Sequence, residues 1–125
     1  MKLIRAITRP EKALALKDLL SDSGYHGIST IECHGYGESK HIVKQIYRGK
    51  VYEQRIDAIK RTEIEFVVPD DKVENVIRTI RNVAVTNRGA DGRIYVFPMS
   101  ESVHIHSGYQ HLGDSSEDEL KDEIS

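Results

Sequence analysis

The stretch TEIEFVVPDDKVENVI, residues 62–77, decides the fold because it holds a strand, a stop signal and the start of a helix. Residues 62–68 alternate between polar and apolar types and then become wholly apolar, which predicts a strand. Pro69 ends that strand, and the acidic pair Asp70 and Asp71 suits the start of a helix. The apolar residues of this helix fall on one stripe: Val73, Val76, Ile77, Ile80 and Val83.

The same order of strand, proline and helix occurs near the start of the chain. Residues 2–9 are rich in apolar and β-branched types, and Pro10 with Glu11 favours a helix start. Gly24 follows the helix where a C-terminal capping glycine is expected. The predicted buried face consists of Ala13, Leu16, Leu19 and Leu20.

Two further strands are predicted at residues 27–34 and 93–97, the second ended by Pro98. The order is therefore β-α-β, a long connection, and β-α-β. This order predicts an α+β, ferredoxin-like βαββαβ sandwich in which two helices cover one face of a four-stranded antiparallel sheet. Apolar residues on both faces of the strands predict that another subunit covers the second face.

The connection between the second and third strands, residues 35–61, is too long for a hairpin turn and is predicted to be a long loop. Loops of this length are usually functional, so we expect a mobile arm that contacts a partner; a floppy insertion is the alternative. Its cationic and aromatic residues include Lys40, His41, Lys44, Tyr47, Arg48, Lys50, Tyr52 and Arg55.

Composition points to one domain with an acidic end. The chain has 125 residues, 30% of them charged, and a formal charge of −2, which does not favour nucleic acid. The single cysteine, Cys33, excludes an internal disulfide and suits a reducing compartment, where we expect it to be a buried thiol. No apolar segment reaches membrane-spanning length, so a cytoplasmic protein is predicted. Residues 113–125 carry six acids against one lysine, which predicts a disordered acidic tail.

The loop TNRGADG, residues 86–92, precedes the last predicted strand and has the composition of an anion-binding turn. Glycine has no Cβ and adopts positive φ readily, so backbone N–H groups in such a loop are accessible. Arg88 and Arg93 flank the loop, which favours a phosphate ligand.

An ordered set of short motifs carries a family resemblance. Residues 35–37 (GYG) open the connection, 47–49 (YRG) lie within it, and 67–71 (VVPDD) follow it; 91–96 (DGRIYV) and 104–108 (HIHSG) complete the set. Residues 1–112 resemble the PII family of nitrogen-regulatory signalling proteins, which leaves 113–125 as a tail.

The resemblance implies a homotrimer that binds ATP or ADP in clefts between its subunits. It implies that residues 35–61 form the family's T-loop, which responds to the ligand and controls a partner: a transporter, an enzyme or a regulator. Many family members also sense 2-oxoglutarate through Mg-ATP. The resemblance therefore predicts a regulatory protein in nitrogen or carbon metabolism rather than an enzyme.

The family's functional positions map onto named residues of this chain. The nucleotide-binding positions are Ser29, Gly37, Glu38, Ser39, Glu65, Val67, Ala90, Asp91, Gly92, Arg93, His104 and His106. The position that helps to hold 2-oxoglutarate corresponds to Arg61 or its neighbour Lys60. Tyr52 lies near the tyrosine that some members carry as a uridylylation site.

Five positions depart from the family pattern. Glu38-Ser39 replaces Arg-Gln, Ala90 replaces the first glycine of the phosphate loop, and His104 and His106 replace two arginines. Arginine is always charged and binds phosphate bidentately, whereas an unperturbed imidazole is mostly neutral at pH 7. The alternative hypothesis is therefore a PII-like trimer that binds a metal ion or another small anion through the two histidines, which are expected on one face of a strand.

Overall fold

The computed structural model describes residues 1–112, with the side chains of all of them except 38–45 and 52–57. The predicted acidic tail, residues 113–125, lies outside the described residues.

Four strands form one antiparallel sheet in the spatial order β2-β3-β1-β4. This is the predicted ferredoxin-like arrangement, with the two β-α-β units side by side. The elements, in chain order, are β1 (Lys2–Thr8), α1 (Pro10–Asp22), β2 (Ser29–Tyr47), β3 (Lys50–Val68), a 3₁₀ turn (Asp70–Lys72), α2 (Val73–Ala84), β4 (Gly92–Pro98), β5 (Glu101–Val103) and β6 (Gln110–Leu112).

The core lies between the helices and one face of the sheet. Alternation along β1 and β3 turns every second side chain toward the helices, and α1 and α2 bury residues three and four positions apart. Each large apolar side chain buried in this way contributes about 1.5–3 kcal/mol relative to exposure. The core consists of Ile4, Ala6, Ala13, Leu16, Leu20, Ile64, Phe66, Val68, Val76, Ile80 and Ala84.

The other face of the sheet is not covered by any element of the described chain. Arg5 lies near its centre, with Nε 2.8 Å from a carboxylate oxygen of Glu63 and Nη2 3.6 Å from one of Glu65. The same guanidinium lies 5.1 Å from the ring centroid of Phe97. Ile31 on this face is 52% exposed. Such a mixed apolar and charged face is suited to burial by another subunit, which stays a prediction.

Residues 35–61 connect the second and third strands as predicted, but most of the connection is itself β-structure. Strands β2 and β3 continue into a long hairpin that pairs as far as Tyr47 opposite Lys50. Arg48 and Gly49 form the turn with φ of 51° and 76°, as a two-residue type I′ turn requires. The pairing shifts register between Tyr36 and His41. The length of the connection did not predict its structure, because its two halves pair with each other as strands. Only the two residues of the turn reverse the chain direction.

A second, short hairpin was not predicted, and it corrects the expected position of the histidines. His104 and His106 were expected on one strand, but they lie in the turn that joins β5 to β6. The turn is closed by the Gly108 amide, which donates to the His104 carbonyl at 2.8 Å, and by the His104 amide, which donates to the Tyr109 carbonyl at 2.8 Å. Gly108 has a φ of 71°, which lets the chain reverse there.

Candidate functional site

A cleft of about 530 Å³ lies where the long hairpin leaves the sheet. One wall is the start of the hairpin, and the other is the end of the loop 86–92 with the start of β4. The residues that line it include Gly35, Gly37, Arg61, Ala90, Gly92 and Arg93. Three glycines and two arginines in one cleft leave room for an anionic group close to the backbone and supply positive charge beside it.

Arg61 joins the two walls of this cleft. Its side chain is buried, and Nη2 donates to the carbonyl oxygen of Ala90 at 2.5 Å. Nη1 is also buried, and no residue that the structure describes accepts a hydrogen bond from it. Lys60, the other candidate for the effector position, is exposed and belongs to the opposite side of β3. Arg61 is therefore the residue of this pair that the fold brings into the cleft.

The loop 86–92 requires unusual backbone angles. Gly89 and Ala90 have φ of 73° and 53°, and Gly92 has a φ of 107°. A Cβ on Gly92 would lie 1.7 Å from the Ile7 carbonyl oxygen, so only glycine lets β4 approach β1 here. Ala90 keeps the left-handed conformation despite its Cβ, at a cost of roughly 1–2 kcal/mol.

The Asp91 carboxylate is directed into the loop. It accepts hydrogen bonds from the Thr86 hydroxyl at 2.5 Å and from the Thr86 amide at 2.9 Å, and Arg9 Nε lies 3.5 Å away. These contacts lower the pKa of Asp91, the Thr86 hydroxyl bond having the largest effect, followed by the Thr86 amide and Arg9. Asp91 was predicted among the nucleotide-binding residues, and its carboxylate is already occupied by these partners.

The positions expected on the adenine side lie farther along the sheet. Ser29 on β2 is directly opposite Glu65 on β3, and Val67 follows two residues later on the same face. Arg61 shares this face, since it is four residues before Glu65, or about 13 Å along a strand. The uncovered face of the sheet thus connects the cleft with Ser29, Glu65 and Val67.

The remaining predicted positions fall elsewhere. The side chains of Glu38, Ser39 and Tyr52 lie outside the described residues. The hairpin with His104 and His106 follows the Pro98 end of β4, which pairs with Lys2, whereas the cleft adjoins the Gly92 end. Within a single chain, therefore, the two histidines do not line the cleft.

The histidine turn shows no metal centre within the described residues. His104 Nδ1 accepts from the Ser107 amide at 3.3 Å and lies 3.1 Å from the Ser107 hydroxyl. Across residues 1–112, as far as their side chains are described, no three His, Cys, Asp or Glu side chains converge as metal ligands. No described helix is both long and apolar enough to cross a membrane.

Sequence reasoning missed two residues that shape the site. From the sequence, Arg9 was placed at the end of a strand and Thr86 at the start of the loop, and neither residue was assigned a role in the site. Arg9 contacts Gly89, 80 positions away along the chain, so no local pattern reveals the contact. A threonine five residues before an aspartate in a glycine-rich turn is a weak signal for a closed loop.

Comparison with known proteins identifies the family. Residues 1–109 match the sequence model of the family described as nitrogen regulatory protein P-II. The chain is 41% identical over 108 residues to nitrogen regulatory protein P-II 2 of Methanothermobacter thermautotrophicus, covering 86% of this chain and 91% of that protein. It is 39% and 38% identical to the nitrogen regulatory proteins P-II of Mesorhizobium japonicum and Bradyrhizobium diazoefficiens, covering 86% of this chain and 94% of each relative. With the predicted fold present and most of its length matched, the chain belongs to the P-II family of nitrogen regulatory signalling proteins.

Proposed function

We propose that this chain binds the phosphates of ATP or ADP in the cleft between the long hairpin and the loop 86–92, and signals occupancy through that hairpin. The observation that carries the proposal is the buried Arg61 guanidinium. Its Nη1 has no acceptor among the described residues, although its Nη2 is hydrogen-bonded. A buried, unpaired donor on a charged group costs free energy that an anionic ligand would recover.

The charge of the cleft supports the same proposal. Arg61 and Arg93 both line it, and among the side chains that the structure describes no carboxylate belongs to its lining. Asp91, the nearest acid in the loop, has its oxygens engaged by Thr86 and Arg9. On the described walls of the cleft, a polyphosphate would therefore meet positive charge and glycine backbone.

A homotrimer would complete the site between subunits. Ser29, Glu65 and Val67 lie on the uncovered sheet face, so a neighbouring copy packed there would enclose them together with the cleft. The histidine turn starts from the opposite end of β4, and it would approach the phosphates from a neighbouring copy. His104 and His106 would then act as phosphate contacts, in place of the arginines of the family.

In this proposal the long hairpin is the segment that responds to the ligand and contacts the partner protein. Its base supplies Gly35 and Gly37 to the cleft, and the register shift after Tyr36 lies directly beside that base. Its tip exposes Ile46 and Val51, each at least 60% accessible, as a surface for a partner such as a transporter, enzyme or regulator. The ligand would shift the hairpin only by its difference in affinity between two hairpin states. Mg²⁺ and 2-oxoglutarate are the proposed co-ligands.

The test is calorimetric titration with ATP and with ADP, each with and without Mg²⁺ and 2-oxoglutarate. We expect one nucleotide per subunit, and a loss of affinity of tenfold or more in Arg61→Met. Lys60→Met is the matched control, because it removes a neighbouring charge on the opposite side of the strand and should change affinity less than twofold. Absence of binding by the unmodified protein would overturn the proposal.

A further inference from the structure

Arg9 contacts the loop 86–92 at two points although it belongs to the junction between β1 and α1. Its Nη2 donates to the Gly89 carbonyl at 2.7 Å, and its Nε lies 3.5 Å from Asp91 Oδ1. The side chain is 18% exposed: Nε beside Asp91 is buried, whereas the hydrogen bond to Gly89 lies at the surface. A single rigid guanidinium thus engages the loop at two positions.

Asp91 connects Arg9 to Thr86, the first residue of the loop. The same carboxylate accepts from the amide and hydroxyl of Thr86, and the Thr86 hydroxyl in turn accepts from the Arg88 amide at 3.2 Å. Charge-assisted hydrogen bonds of this kind are stronger than neutral ones. The chain from Arg9 through Asp91 to Thr86 closes residues 86–91 into a ring.

The two arginines also orient the peptide groups of the loop. Arg9 binds the Gly89 carbonyl and Arg61 binds the Ala90 carbonyl, so two successive carbonyls are held on the protein side. The Gly89 amide faces the Thr86 carbonyl across the turn at 87–88, whereas no acceptor among the described residues meets the Ala90 amide. Free amides in a turn with positive φ form a concave anion-binding surface.

We propose that Arg9 is a positioning residue for phosphate recognition, acting with Asp91 and Thr86 to hold the loop 86–92 with the carbonyls of Gly89 and Ala90 inward and the Ala90 amide available to a ligand. This inference rests on the proposed nucleotide site and assigns Asp91 to loop shape rather than to ligand contact. Arg9 touches no phosphate itself. Its contribution appears only for ligands that carry phosphate.

The experiment compares ATP with adenosine, the same nucleoside without phosphates, by calorimetric titration of the full chain. In Arg9→Met we expect ATP affinity to fall at least tenfold while adenosine affinity stays within twofold. Thr86→Val should lower the affinity for ATP in the same selective way. Arg78→Met, which removes an exposed charge on α2, is the control and should leave both affinities unchanged.

The outcomes separate this inference from the proposed function. If the unmodified chain does not bind ATP, both are overturned. If it binds ATP and Arg9→Met binds equally well, or loses ATP and adenosine to the same extent, only the positioning role is overturned. Should Arg9→Met fail to fold, Arg9→Lys keeps the charge but cannot hold both acceptors, and a fivefold or larger selective loss for ATP is expected.

Discussion

Arg61 Nη2 donates to the Ala90 carbonyl oxygen at 2.5 Å, and this bond joins the base of the long hairpin to the loop 86–92. The two residues belong to the second β-α-β unit, at the start and the end of it, and are 29 positions apart. A ligand that draws the guanidinium toward itself would change the support of the loop and the base of the hairpin together. In the proposed function, this contact would couple the cleft to the hairpin.

Replacement of Gly92 by alanine should disrupt the sheet. The added Cβ would lie 1.7 Å from the Ile7 carbonyl oxygen, at a φ of 107° that alanine rarely adopts. We expect a loss of at least about 3 kcal/mol in the free energy of unfolding, measured by urea denaturation. Gly37→Ala is the control, since no described atom lies within 4 Å of its added Cβ, and it should change stability by less than about 0.5 kcal/mol. Equal stability of the two variants would contradict the close approach of β1 and β4.

Ala90→Gly should stabilise the chain, which is unusual for an alanine-to-glycine change. Relief of the strain at a φ of 53° is partly offset by the greater flexibility of glycine when unfolded, leaving a gain of about 0.5–1 kcal/mol. The same change at Ala15, exposed within α1, should instead destabilise by about 1 kcal/mol. Urea denaturation of both variants checks the opposite signs. A destabilised Ala90→Gly would show that the loop is not strained there.

Two leucines of α1 should differ sharply when shortened. Leu16 is fully buried in the core, whereas Leu14 is 63% exposed. Leu16→Ala should cost about 2–5 kcal/mol of unfolding free energy, because it removes buried methyl groups and leaves a cavity. Leu14→Ala should stay within about 0.5 kcal/mol. Similar losses in thermal and urea unfolding would mean that another surface covers Leu14, for instance in an oligomer.

The Asp91 network should make stability depend on acid pH. The Thr86 hydroxyl, the Thr86 amide and Arg9 lower the pKa of Asp91 below its ordinary value of 3.8. The stabilisation is therefore fully present above the ordinary value and is lost as pH falls through the lower, folded-state pKa. We expect the unfolding free energy of the unmodified chain to exceed that of Asp91→Asn by a constant amount between pH 5 and 8. That difference should shrink below about pH 4. A difference that grows on acidification would refute this role.

Sequence alone determined the order of the first four strands and the two helices, and most of the residues by which the helices and β3 form the core. The 3.6-residue spacing of Leu16 and Leu20 and the alternation of Ile64, Phe66 and Val68 are local patterns, and each buries the face it predicts. Leu19, predicted on the same face as Leu16, is 40% exposed because it lies at the flank of that stripe. The glycine-rich loop and the motifs of the P-II family were likewise readable from short stretches, since close backbone approach requires glycine at positions such as Gly92.

Only the tertiary structure decided how the loop 86–92 and the long connection are arranged. The pairing of residues 35–61 with each other depends on register, which a two-residue turn at Arg48 and Gly49 sets and composition does not reveal. The contacts of Arg9 with Gly89 and of Arg61 with Ala90 join residues 80 and 29 positions apart. Such contacts form when strands β1, β3 and β4 come side by side, so the inward carbonyls and the occupied Asp91 carboxylate are consequences of the assembled sheet. Local sequence specifies which backbone angles are possible, and the packing of distant strands selects which polar groups remain free to bind.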